Sequence, residues 1–182
     1  MRRIAVLGLV AAVGCASGST STTSRPQTMR VVGQGGLAGS QVSMTASSTS
    51  STTKLDFPLE AIWRSLAFAY DSLKIPITTI DPKRHLFGNE GMKVRQKLGN
   101  VMLSKYIDCG QAQIGPSADS YDVYMEVTTT VRSISAGQSE VSTLVTSAAK
   151  PLTFGQEYSS CQTKGTIETA ISSIVAAKAA AR

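Results

Sequence analysis

The chain of 182 residues has a single histidine, His85, and aromatic residues make up only 5% of it. A serine hydrolase would have to use His85 as its base, and no G-x-S-x-G or H-E-x-x-H accompanies it. A nucleophilic cysteine in Ile107-Asp108-Cys109-Gly110 would need the same histidine, which sits beside Lys83 and Arg84. The carboxylates Asp81, Glu90, Asp108, Asp119 and Asp122 are scattered, and no spacing pairs any two of them. The cysteines and the one histidine show no paired zinc spacing. No catalytic constellation, metal or cofactor is expected, and the chain reads as a non-enzyme.

Charge is sparse as well, at 16% of residues with a formal net charge of +6. Nucleic-acid binding needs basic residues clustered with stacking aromatics, and it is not expected. The longest apolar run, Ile4 to Val13, falls well short of the roughly 20 residues needed to span a bilayer. No solenoid-type repeat is present. The length suits one domain of ordinary size plus a tail.

The N-terminal segment carries an address. Arg2 and Arg3 precede the apolar run, and Gly14 and Cys15 close it, as in a secretory signal peptide. The closing Ala12-Val13-Gly14-Cys15 resembles the lipobox of bacterial lipoproteins. That resemblance implies that residues 1–14 are removed and that Cys15 carries the lipid, several acyl chains on one cysteine holding firmly to a membrane. It also implies delivery to the outer membrane, because Ala16 rather than aspartate follows the cysteine. The alternative is an ordinary signal cut at a small-x-small site that Gly14-Cys15-Ala16 would serve. Either way the protein is exported, and loss of Arg2 and Arg3 lowers the net charge to +4.

Export decides the other cysteines. Cys15 leaves the count as anchor or as discarded signal, so Cys109 and Cys161 form an even pair in an oxidising compartment. Their disulfide would close a loop of about 50 residues and contribute roughly 4 kcal/mol.

Residues 15–28 are mostly Ser, Thr and Gly, and the composition suggests a flexible tether. Residues 29–54 read as short strands around a Gly-rich turn, followed by a polar linker. Gly33, Gly35 and Ala38 formally fit G-x-G-x-x-A, with Asp56 further on. A dinucleotide site would need a helix next, and the β-prone Ser40 to Thr45 follows instead. From residue 55 to 182 an α+β domain is expected. Leu59, Ile62, Trp63, Leu66, Tyr70 and Leu73 mark a helix between Pro58 and Pro76.

Met92, Val94 and Leu98 alternate with Lys93, Arg95 and Lys97, a strand pattern with its cations on one face. Together with Lys83, Arg84 and His85 these cations are expected to make the most basic spot on the chain. It would be either a solvated face or a contact with anionic lipid, lipopolysaccharide or glycan. The clearest strand turns Tyr121, Val123, Met125, Val127, Thr129 and Val131 one way. After Ala136-Gly137-Gln138, an antiparallel partner is marked by Val141, Thr143, Val145 and Ser147. A closing helix carries Ile167, Ile171 and Ile174, with Ala177 or Lys178 completing the stripe and Glu168 in its first turn.

The order predicts an α+β fold, an antiparallel sheet of four to six strands packed on an N-proximal helix and a long C-terminal helix. The stretch Asp56-Phe57-Pro58-Leu59-Glu60-Ala61-Ile62-Trp63 and the closing helix resemble helix-grip domains, including those found in a lipoprotein component of the outer-membrane barrel-assembly machine. The CG before one strand and the C-x-x-x-G before the last helix are similar to patterns in uncharacterised lipoproteins. The expected function is a non-enzymatic binding or structural role in the envelope, facing the periplasm or the cell surface. The partners would be the membrane, through the N-terminal lipid, and an envelope protein, lipopolysaccharide or glycan. The alternative is a helix-grip carrier with a small apolar ligand or lipid between sheet and last helix, which requires a cavity of at least about 300 Å³.

Overall fold

A computed structural model describes residues 20–32, 41–152 and 158–181. The expected signal segment, Cys15 and the turn expected within residues 33–40 lie outside the described residues. In chain order the elements are β1 (Thr20–Val32), β2 (Gln41–Leu55), α1 (Leu59–Ser72), β3 (Thr79–Asp81) and β4 (Leu86–Arg95). There follow β5 (Lys97–Leu98), β6 (Val101–Met102), a 3-10 turn (Leu103–Lys105), β7 (Ile107–Asp108), β8 (Gln111–Ala112) and β9 (Gly115–Pro116). Then come α2 (Ser117–Ser120), β10 (Asp122–Ser135), β11 (Gln138–Lys150), β12 (Ser159–Thr163) and α3 (Thr166–Ala180).

The fold is α+β with an antiparallel main sheet running β1-β2-β11-β10-β4-β3. β2 borders β11 from Ser139 to Thr146, and β12 takes over that edge from Ser147 to Ala149. The ladder is therefore seven strands long, more than the four to six expected, and β7 adds to β12. The strand with no counterpart in the expectation is β12, and the N-terminal strands are longer than expected, Thr20 to Thr28 being strand rather than tether and Ser47 to Leu55 strand rather than linker. Ser and Thr are as well suited to a ladder as to a loop once a partner strand is present.

Inward alternation on β10 and β11 is as the sequence predicts. Val123, Met125, Val127, Thr129 and Val131 are buried, as are Val141, Thr143, Val145 and Ser147. α1 buries Ile62, Leu66, Ala69 and Tyr70 in the same core, with Trp63 and Leu73 partly covered. It ends where Lys74 adopts a left-handed φ of 59° and the Ile75 N–H bonds the Tyr70 carbonyl at 2.9 Å. α3 contributes Ile167, Ile171, Val175 and Ala179. Its stripe thus follows the four-residue spacing from Ile167. Ile174 is half-buried, Ala177 is exposed, and Lys178 lies over the Phe68 ring at 4.6 Å.

One polar network crosses this core. The Tyr70 hydroxyl donates to the Phe87 carbonyl at 3.1 Å and lies 3.1 Å from the Thr129 hydroxyl, which meets Thr143 at 3.0 Å. Burial pushes the Tyr70 phenol up to about 12, so it stays a neutral donor.

The start of α3 is fastened to the segment before α2. Cys109 and Cys161 are bonded, and Gln162 and Thr163 pair with Asp108 and Ile107. The Lys164 N–H bonds the Tyr106 carbonyl at 2.8 Å, and its ammonium reaches the Ser104 carbonyl at 2.7 Å. The disulfide spans 52 positions in sequence. Replacing both cysteines by alanine is expected to lower unfolding stability by about 4 kcal/mol in urea titrations. An unchanged midpoint would show that the hydrogen bonds alone hold the seam.

Candidate functional site

β10 and β11 turn a second row of residues away from the helices, and chemistry gathers at one end of it. Asp122 opposes Arg95 on one side and Lys150 on the other. Its carboxylate takes the Lys93 ammonium at 2.8 Å. That hydrogen bond is the main reason the Lys93 amine sits above its ordinary pKa. In the next row Tyr124 lies between Lys93 and Ala148. Its ring centroid is 5.5 Å from that of Tyr158, and the Lys150 ammonium is 5.1 Å from the Tyr158 centroid. Burial, and then the neighbouring Tyr158, push the Tyr124 phenol up. The result is a pair of tyrosines and three cations around one aspartate.

An open cleft of about 660 Å³ adjoins this end, lined by residues that include Arg95, Met102, Ile114, Asp119 and Leu152. Arg95 has no ion pair among the described residues. Asp119 is engaged, its carboxylate accepting the Ser104 N–H at 2.8 Å.

The five cations expected in one spot fall in two places. Lys93 and Arg95 are near the C-terminal end of β4, whereas Lys83 and Arg84 precede its first residue. Ten residues of strand separate the ends by about 30 Å. Arg84 is bonded to Asp81 at 2.6 Å, and this contact holds the Asp81 carboxyl below the usual range. The ring of His85 packs edge-on against Trp63 at 5.4 Å. Lys97 is not on the same strand as Lys93, because Gln96 takes a φ of 66° and the chain turns into β5. A second irregularity interrupts β4. Glu90 and Gly91 together oppose Glu126, a bulge for which Gly91 supplies a φ of 114°.

The sequence pattern does not single out Lys150, Asp122, Tyr124 and Tyr158 as a group. Counting outward from the Ala136–Gly137 turn puts Pro151 opposite Asp122, and the bulge between Ser133 and Ser135 shifts the register by one residue so that Lys150 takes that place. Tyr158 carries no such signal, because its neighbourhood depends on β12 replacing β2. No family model, curated protein or solved structure matches the chain.

Between β2 and α3 there is a groove of about 230 Å³, lined by Thr53, Leu55, Thr169, Ser172, Ser173 and Ala176. It is smaller than the roughly 300 Å³ needed for a small-molecule site, and the core beneath it is filled by Ile171 and Val175. The carrier expectation therefore has no cavity there among the described residues.

Glu126 lies on the outer row of β10, and burial, with Glu90 adding to it, pushes its carboxyl above the usual range. A carboxyl raised in the folded state contributes its full stability only below its unfolded pKa, and that contribution is lost as pH rises through the folded value. Glu126→Gln is therefore expected to gain stability over the parent as pH rises from acid to neutral, with no difference at acid pH. Urea midpoints of the two proteins measure this, and a gap that is constant across pH would refute it.

Proposed function

We propose that this chain is an exported bacterial lipoprotein, anchored by acyl chains on Cys15 at the outer membrane and facing the periplasm or cell surface. Its folded part has a non-enzymatic binding or structural role in the envelope. The supporting observation is the Cys109–Cys161 disulfide, whose two residues are 8% and 0% exposed. A buried structural disulfide belongs to an oxidising compartment. It accounts for two of three cysteines and leaves Cys15 to the N-terminal chemistry that the lipobox resemblance implies.

The folded part is read as helix-grip-like. α1 and α3 bury their stripes in one core with the inward rows of β10 and β11, which leaves the outer row to partners. The reading also puts the domain close to the lipid. β1 begins at Thr20, five positions after Cys15, so extended chain would reach at most about 17 Å.

The test is the mass of the mature N-terminus in protein recovered from cell envelopes. The expected species begins at Cys15 and carries acyl chains, and Cys15→Ala is expected to release the protein into the soluble fraction. An unmodified N-terminus beyond Cys15, with fractionation unchanged by Cys15→Ala, would replace the anchor with ordinary signal cleavage.

A further inference from the structure

The cleft end of the sheet combines two features that a solvated surface does not need together. Ile114 is 88% exposed, the highest value among the exposed large apolar side chains of the described residues. It occupies the two-residue turn between β8 and β9, where Ala112 pairs with Gly115. Such turns favour Gly, Asn or Asp, and a β-branched side chain there gains nothing from the fold. One exposed isoleucine is ordinary. Here, however, Leu152, 51% exposed, lines the same cleft, and so does Met102. The second feature is charge. Arg95 lines the cleft with its guanidinium outside any ion pair among the described residues, and Lys150 lies two residues before Leu152 and across Asp122 from Arg95. Of the anions among the described residues, Asp122 is held by Lys93, and Asp119 accepts the Ser104 N–H and keeps its charge in the cleft lining.

We propose that this end of the sheet docks on an anionic membrane surface, with Ile114 and Leu152 entering the interface and a lipid phosphate held at Arg95. A free anion would explain the cations but not the apolar tips. An uncharged apolar ligand would explain the tips but leave Arg95 without a role, since Lys150 already lies over the Tyr158 ring. An interface of acyl chains beneath phosphates matches both at once, and the open cleft has room for one headgroup. The proposal rests on the envelope reading for its setting.

The anchor also fits this orientation. Thr20 opposes Thr53, which opposes Val141, and Val141 lies about 30 Å along β11 from Lys150. Thr20, the first described residue after the anchor, and the docking end are thus at opposite ends of the sheet, which would lie along the membrane rather than stand on it. Each contact would raise the effective concentration of the other.

Vesicle sedimentation tests this with the mature chain, residues 15–182, carrying Cys15→Ala, so that neither an acyl chain nor the apolar signal segment contributes to binding. The protein is expected to bind vesicles of equal parts phosphatidylglycerol and phosphatidylcholine, and to bind phosphatidylcholine alone far more weakly. Arg95→Gln with Lys150→Gln should weaken binding about thirtyfold, at about one kcal/mol for each cation near an anionic surface. Ile114→Ser with Leu152→Ser should weaken it by about a hundredfold. Urea midpoints close to the parent's would show that both double variants are folded.

Equal binding to the two vesicle types, or parental binding by both double variants, would overturn the proposal. If soluble glycerol phosphate competes fully and Ile114→Ser with Leu152→Ser has no effect, the site is one for a free anion, not for a membrane. None of these outcomes alters the mass at Cys15, so the anchor and the docking surface fail separately.

Discussion

From Val123 to Val131 every second residue of β10 is buried, and the facing row of β11 is buried with it. Two paired strands thus present a slab of Val, Met and Thr about 30 Å long that must be shielded from water. Everything else in the domain answers that demand. α1 covers the slab with Ile62, Leu66 and Tyr70, and α3 with Ile167, Ile171 and Val175. The two helices are far apart in sequence, and the segment between them must return the chain to the right place. The slab is also not wholly apolar. Thr129 and Thr143 face inward, and the Tyr70 hydroxyl closes a chain of hydrogen bonds with them. α1 is thereby fixed in register, because one turn of slippage would leave buried hydroxyls unpaired.

α3 has a harder task, since it closes the core last in sequence and several of its buried side chains are small. Ala179 and Ser172 bury little area, so packing alone defines its position less firmly than that of α1. The disulfide and the surrounding bonds compensate. Cys161, Lys164 and Thr166 all attach the helix entrance to residues 104–109. Glu168 is buried in the first turn and accepts the Thr163 hydroxyl at 2.9 Å. Burial pushes that carboxyl up, while its place in the first turn favours negative charge near the helix N-terminus. The arrangement uses many polar contacts at one end where an aliphatic helix would use packing along its length.

The features legible in the sequence are those governed by a short period. The β10 and β11 alternation, the α1 stripe and the turn at Ala136–Gly137 follow from side chains at fixed spacing. The cysteine pair is legible by a count that depends on export. Two kinds of feature are not. Serine and threonine do not distinguish tether from strand, so β1 and the end of β2 are visible only through their partners. And alternation assumes an unbroken strand. The bulge at Glu90–Gly91 and the left-handed Gln96 interrupt the run from Leu86 to Leu98, so counting by twos carries Lys97 onto the wrong element.

The division of the cations has a consequence for any partner. A strand of ten residues holds Lys83 and Arg84 apart from Lys93 and Arg95 by more than the roughly 8–10 Å over which exposed charges interact at physiological salt. The two groups cannot act as one field. Near Arg84 the charge is engaged locally by Asp81. At the other end, among the described residues, Asp122 pairs with Lys93, Lys150 lies over the Tyr158 ring, and Arg95 remains in a cleft whose lining includes Met102, Ile114 and Leu152. Electrostatic recognition by this face is therefore concentrated where β4, β10 and β11 meet, while Arg84 is tied to Asp81 within its own turn.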